Sequence, residues 1–206
     1  TMTAVDPAIG SGTWSLVSGT ASITSPNAFN TPVTGVPVGT SATLEWRVEN
    51  GTCAASVDQV VITNLAPPTT ADAGPVEIEQ CDNSTFVMSA NTPVVGTGMW
   101  TVVSGTANIT NPTSPTTTIT GVPVGTTATL RWTISNGGCT PSFDDIDLIN
   151  HEPPSTADAG LDKENCNDGN FTMTAVDPAI GSGTWSLVSG TATITTPGAF
   201  NTTVTG

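Results

Sequence analysis

Tyrosine is absent from this 206-residue chain, and basic residues number only three beside a single histidine. The missing tyrosine removes a side chain that carbohydrate and protein recognition surfaces use heavily. Three basic residues against 17 acidic ones leave a formal net charge of −14, which argues against nucleic acid or anionic membrane as partners. No transmembrane run appears, so no membrane insertion is expected within this segment. Catalytic patterns are missing as well: GxSxG, HExxH, a Walker loop and a glycine-rich dinucleotide motif are all absent. His151 stands beside Glu152-Pro153-Pro154 in a linker, so no enzyme and no catalytic or cofactor-binding residue is expected. Without a CxxC pair, and with one histidine, zinc ligation is not expected either.

What is present is repetition. Residues 172–206 restate residues 1–35 with four differences: Ser22/Thr193, Ser25/Thr196, Asn27/Gly198 and Pro32/Thr203. A looser copy lies between them, its register fixed by Trp14 with Trp100, Trp46 with Trp132 and Cys53 with Cys139, each pair 86 residues apart. That period is too long for a helical solenoid unit and suits one small β domain. The expected domains are 1–68, 71–154 and 157–206, of which the middle one is complete. The chain reads as a window from a longer array. Ala66-Pro67-Pro68-Thr69-Thr70-Ala71-Asp72-Ala73-Gly74 recurs as Glu152-Pro153-Pro154-Ser155-Thr156-Ala157-Asp158-Ala159-Gly160. Paired prolines favour a stiff, extended connection, so neighbouring domains are expected to stand in file.

No segment carries an amphipathic helical period. The middle unit shows short alternating runs broken by Gly, Pro and Asn, which predicts strands at 76–80, 86–91, 98–104, 107–110, 116–120, 127–135 and 143–150. Alternation puts Leu130, Trp132 and Ile134 on one face and Thr129, Arg131 and Thr133 on the other. Trp100 and Val102 point inward on the same argument, as do Ile146 and Leu148. Seven short strands in a unit of this length predict an all-β chain of tandem immunoglobulin-like or PKD-like two-sheet sandwiches in a linear array. Trp100 and Trp132 are therefore expected in the core and not as sugar-stacking platforms.

Two cysteine positions recur per unit: Cys81 and Cys166 early, Cys53 and Cys139 late. The expected disulfide joins Cys81 to Cys139 inside the middle unit, which in the loop-entropy model contributes about 4 kcal/mol. A bond between Cys53 and Cys81 across the junction is the alternative. Paired cysteines with few lysines fit an extracellular, cell-surface protein. Acidic residues gather at the unit ends. There Asp144, Asp158, Asp162 and Glu164 are candidate Ca²⁺ ligands that would stiffen the joint. The competing reading is that they keep an edge-bearing β protein soluble. No DxDxDG spacing is present, and apart from that possible Ca²⁺ no cofactor is expected. The neutral, threonine-rich flank suits inert spacer surface, a lateral packing face in a fibre, or a flat adhesive face.

The Ala71-Asp72-Ala73-Gly74 opening, Cys81, Gly98-Met99-Trp100, Leu130-Arg131-Trp132, Asn136-Gly137-Gly138-Cys139 and Asp144-Asp145-Ile146-Asp147-Leu148-Ile149 together form a pattern. It resembles the Ig-like and PKD-like repeats of very large Bacteroidota surface adhesins, including gliding-motility-associated proteins exported by type IX secretion. The resemblance covers the whole chain. It implies a structural repeat region acting as a semi-rigid stalk, with an unknown surface or glycan ligand and lateral self-association into fibres as partners. Spacer repeats in a secreted polysaccharide hydrolase, or a glycan- or protein-binding module, are the alternatives.

Overall fold

The computed structural model of the chain describes residues 1–166 and 168–206, and every regular element among them is a strand. The first unit holds β1 (Met2–Thr3), β2 (Ser11–Ser18), β3 (Ser22–Ile23), β4 (Asn30–Thr31), β5 (Val33–Thr34), β6 (Thr40–Glu49) and β7 (Ser56–Asn64). The middle unit holds β8 (Glu77–Cys81), β9 (Phe86–Val87), β10 (Thr97–Ser104), β11 (Asn108–Ile109), β12 (Thr118–Thr120), β13 (Thr126–Ser135) and β14 (Ser142–His151). In the third unit lie β15 (Phe171–Thr174), β16 (Thr193–Ile194) and β17 (Asn201–Thr205).

The middle unit is a sandwich of a four-stranded sheet, ordered β10-β13-β14-β8, and a three-stranded sheet, ordered β11-β12-β9. All its pairings are antiparallel except one: β8 runs parallel to β14, with Cys81 opposite His151. The first unit repeats the larger sheet as β2-β6-β7. The chain is thus an all-β tandem of immunoglobulin-like sandwiches.

The period-2 pattern explains the core. On β13 the buried residues are Ala128, Leu130, Trp132 and Ile134, and on β14 Ile146, Leu148 and Asn150, so alternate positions face the second sheet. From that side Phe86 and Ile119 of the sheet, with Met88 just beyond β9, close the core. Trp100 and Trp132 stand opposite each other in the β10–β13 ladder, with ring centroids 5.2 Å apart and planes tilted by 43°. Trp14 and Trp46 repeat the arrangement at 5.1 Å and 45°. Tilted aromatic pairs of this kind add about 0.5–1.5 kcal/mol beyond their burial. The glycine two positions before the first tryptophan makes room for the second. A Cβ on Gly98 would fall within the Trp132 ring, and one on Gly12 within that of Trp46.

Three polar side chains recur inside the sandwiches. Thr31, Thr117 and Thr202 are buried, and each hydroxyl accepts a backbone N–H six residues earlier, from Ser25, Asn111 and Thr196 at 2.9, 2.9 and 3.0 Å. Asn150 is fully buried; its amide donates to Val122 O at 2.9 Å and accepts from Asn83 N–H at 3.1 Å. Outside, Arg131 donates to both oxygens of Asp145 at 2.7 and 2.8 Å and covers the Phe143 ring at 3.9 Å. Those hydrogen bonds hold the Asp145 carboxyl below its ordinary range and raise the guanidinium above its own.

Two features differ from the sequence expectation: Val102, expected inward beside Trp100, is exposed where the β10–β13 register shifts, and the second strand is shorter. The second strand was expected over 86–91, but β9 ends at Val87. Beyond it Ala90 N–H bonds Pro115 O, and a proline cannot return the ladder bond. The stretch 184–188 around Trp185 is not a strand, although its copies β2 and β10 are. Those two pair with β6 and β13, whereas no described strand of the third unit faces Trp185.

Candidate functional site

The candidate site is the junction between units. Asn136 and Gly137 follow β13 in a turn closed by Cys139 N–H on Asn136 O at 3.1 Å. This turn receives the segment leaving the first unit: Asn136 Nδ2 donates to Ala66 O at 2.8 Å, and the Leu65 side chain lies directly on Gly137. Gly137 has φ +54°, so a side chain there would be strained as well as obstructed. Cys139 Sγ reaches Ala66 O at 3.4 Å and Leu65 O at 3.8 Å.

Past the prolines the linker is drawn into the middle sandwich. Thr69 Oγ1 accepts from Val94 N–H and Val95 N–H, both at 2.9 Å, and Thr69 N–H donates to Val95 O at 3.0 Å. Ala71 N–H bonds Ser142 Oγ at 2.9 Å, and Ala73 N–H bonds Asp144 Oδ2 at 2.8 Å. Asn91 ties this segment to the core, donating to Thr70 O at 2.8 Å and accepting from Asp72 N–H at 3.0 Å and Trp132 Nε1–H at 3.2 Å. At the second junction Ser155 takes the place of Thr69: its hydroxyl accepts Ile180 N–H at 2.9 Å and its N–H donates to Ile180 O at 3.0 Å. The prolines thus sit in a connection hydrogen-bonded on its far side, not in a free tether.

The candidate Ca²⁺ ligands are not brought together. Asp144 lies near the start of β14 and Asp158 beyond its end, so the length of that strand separates them. Asp144 serves Ala73 N–H, and Asp158 Oδ1 caps its own turn through Gly160 N–H at 2.8 Å. Asp162 and Glu164 are exposed, and among the described residues no group of three or more His, Cys, Asp or Glu side chains is placed to hold a metal ion.

Neither expected disulfide is made; Cys53, Cys81, Cys139 and Cys166 are all thiols. The parallel pairing of β8 is the reason. It puts Cys81 beside His151 at the far end of β14, whereas Cys139 precedes the near end. Ten residues of strand span about 30 Å, far beyond the Cα separation of about 7 Å that a disulfide tolerates. Cys53 occupies the near end of the first unit, so it is further still from Cys81.

Trp14, Trp46, Trp100 and Trp132 are buried. Trp185 is partly exposed and lines, with Gly183, Ala199 and Phe200, an apolar cleft of about 180 Å³. In the middle unit the Trp132 ring fills the space over Gly98, which corresponds to Gly183, so the cleft is a core slot and not a ligand site. Sequence reasoning missed Asn136, Gly137, Thr69 and Asn91 as junction residues. The signal for the first three was their recurrence at Asn50, Gly51 and Ser155; Asn91 has no copy, since Val5 and Val176 hold its place.

No family model matches the chain, and no curated protein matches it. Among solved structures it is similar to mouse cadherin-23 EC22-24 (TM-score 0.38, 12% identity, covering 80% of this chain and 64% of that one). It is also similar to the human desmocollin-1 ectodomain (0.32, 10%, covering 94% and 45%) and to protocadherin gammaB7 EC3-6 (0.37, 9%, covering 80% and 51%). The chain therefore spans between 45% and 64% of these structures, and at such scores no residue role is transferred from them.

Proposed function

We propose that this chain is a structural repeat region of a large secreted cell-surface adhesin or extracellular filament, in which it acts as a semi-rigid stalk. The observation that carries this reading is the junction. The middle unit receives the strand end and linker of the first through Asn136, Gly137 and Thr69, residues that recur as Asn50, Gly51 and Ser155, so a repeated junction of this kind would pass orientation from unit to unit. The finer assignment, to gliding-motility-associated adhesins of Bacteroidota exported by type IX secretion, rests on the sequence resemblance alone. An extracellular location is supported by the acidic, lysine-poor composition.

A spacer in a secreted polysaccharide hydrolase would use the same junctions. The near-identity of residues 1–35 and 172–206 favours the stalk, because a spacer needs few units. A glycan-binding module needs an exposed aromatic platform. The paired tryptophans are buried, and one face of Phe143 is taken by Arg131. The reading is tested by the intact mass of the native polypeptide and the peptides from both its ends. A mass of several hundred kilodaltons with many further copies of the unit is expected. A modest mass with a catalytic domain at one end would reduce these repeats to spacers.

A further inference from the structure

The middle unit carries one cysteine at each of its two ends, Cys81 exposed and Cys139 half-buried. Cys81 closes β8 beside His151, at the end from which the chain leaves the unit. Cys139 sits in the turn at the opposite end, against the segment arriving from the preceding unit. Leu65 holds in the first unit the place that His151 holds in the middle unit, since β7 and β14 are copies 86 residues apart.

The carbonyl at this position fixes the geometry. In the middle unit His151 O accepts Asp82 N–H at 3.0 Å, so it points toward β8 and the residue following Cys81. In the first unit the same carbonyl, Leu65 O, has Cys139 Sγ of the next unit at 3.8 Å. A unit carrying its own copy of β8 therefore presents that strand's cysteine at the carbonyl on which the next unit's Cys139 rests. Strand neighbours lie about 4.8 Å apart, so that cysteine stands one strand spacing from the residue whose carbonyl Cys139 Sγ contacts.

We infer that the repeat cysteines pair between consecutive units, the β8-type cysteine of one with the turn cysteine of the next. The reaction joins two thiols at the expense of a small-molecule disulfide such as oxidised glutathione. One S–S bond forms in the protein, and two glutathione thiols leave with the two protons and two electrons. None of the four cysteines meets its partner within this chain. Cys139 requires a β8 copy ahead of Thr1, Cys53 the unit before that, and Cys81 and Cys166 the turns of later units. With such bonds in place, load reaching Cys139 passes through β14 and the following linker to Cys166, bypassing the other strands of the middle sandwich. The inference rests on repeat register and not on the stalk reading.

The test extends the whole chain. Because residues 172–206 restate residues 1–35, fusing residues 157–171 ahead of Thr1 continues the repeat and supplies the first unit with a cysteine ahead of its first strand. Cys166→Ser in the same chain keeps the added cysteine unambiguous in peptide maps. After equilibration in a glutathione redox buffer, one cross-linked peptide joining the added cysteine to Cys139 is expected. Cys139→Ser abolishes it and Cys53→Ser leaves it intact. Cross-linking of the added cysteine to Cys53, or a folded extended chain in which Cys139 remains a free thiol, overturns the inference. The unextended chain gives a second readout that needs no new segment. In the same buffer all four thiols should stay free of intrachain bonds, and a Cys81–Cys139 disulfide there would contradict the register.

Discussion

Gly98→Val is expected to lower the melting of the middle unit sharply while leaving that of the first one unchanged. The valine would have to occupy space held by the Trp132 ring, and that ring is fully buried against Trp100, so it has no room to yield. Expelling a tryptophan from a packed core costs about 3–5 kcal/mol, against a typical net stability of about 5–15 kcal/mol for a whole domain. The repeat supplies its own controls. Gly12→Val should do the same to the first unit, where Trp46 fills the equivalent space. Gly183→Val should change little, because a Cβ there meets only Pro178 atoms at 4.0 Å. Thermal unfolding of the three variants, followed by tryptophan fluorescence, separates the cases. Equal melting of Gly98→Val and Gly183→Val would mean that the glycine-before-tryptophan spacing has no packing role.

The second large effect is expected at Asn150. Its side chain links the turn at Asn83 to Val122 through the interior of the sandwich. Asn150→Ala removes both partners at once. Asn83 lies in an exposed turn, where water can take its N–H, but Val122 O is left unpaired in the interior at about 1–3 kcal/mol, in addition to the cavity. Asn64 is the copy in the first unit, yet it is exposed and donates only to Val36 O at 2.9 Å. Water can replace that bond, so Asn64→Ala should cost under about 1 kcal/mol. Comparable losses from the two substitutions, measured by denaturant unfolding, would contradict the role assigned to the interior asparagine.

Much of the sandwich was legible in the sequence because strand faces follow a period of two. Leu130, Trp132 and Ile134 lie inward, and Thr129, Arg131 and Thr133 on the opposite face, as the alternation of β13 dictates. Strand direction was not legible. Nothing in the spacing of Cys81 and Cys139 says that β8 runs parallel to β14, and that direction alone carries Cys81 to the wrong end of the unit for an internal disulfide. Interior polar positions were hidden for a related reason. Thr117 and Asn150 look like any other Thr or Asn until the fold aims a backbone N–H or carbonyl at them. The acids at the unit ends suggested a shared ion. Two of them instead serve single backbone N–H groups, Asp144 that of Ala73 and Asp158 that of Gly160, a use that leaves no mark in composition.

Small-angle scattering on the whole chain, beside a variant carrying Asn136→Ala and Leu65→Ser, tests the held junction most directly. Both substitutions lie outside the buried cores and remove the Asn136–Ala66 hydrogen bond and the Leu65–Gly137 contact. The unaltered chain is expected to scatter as one extended particle with a single sharp maximum dimension, unchanged by a chelator. The variant should keep both melting transitions while its distance distribution broadens. A chain that already scatters as beads on a flexible tether, with no change in the variant, would contradict the semi-rigid stalk.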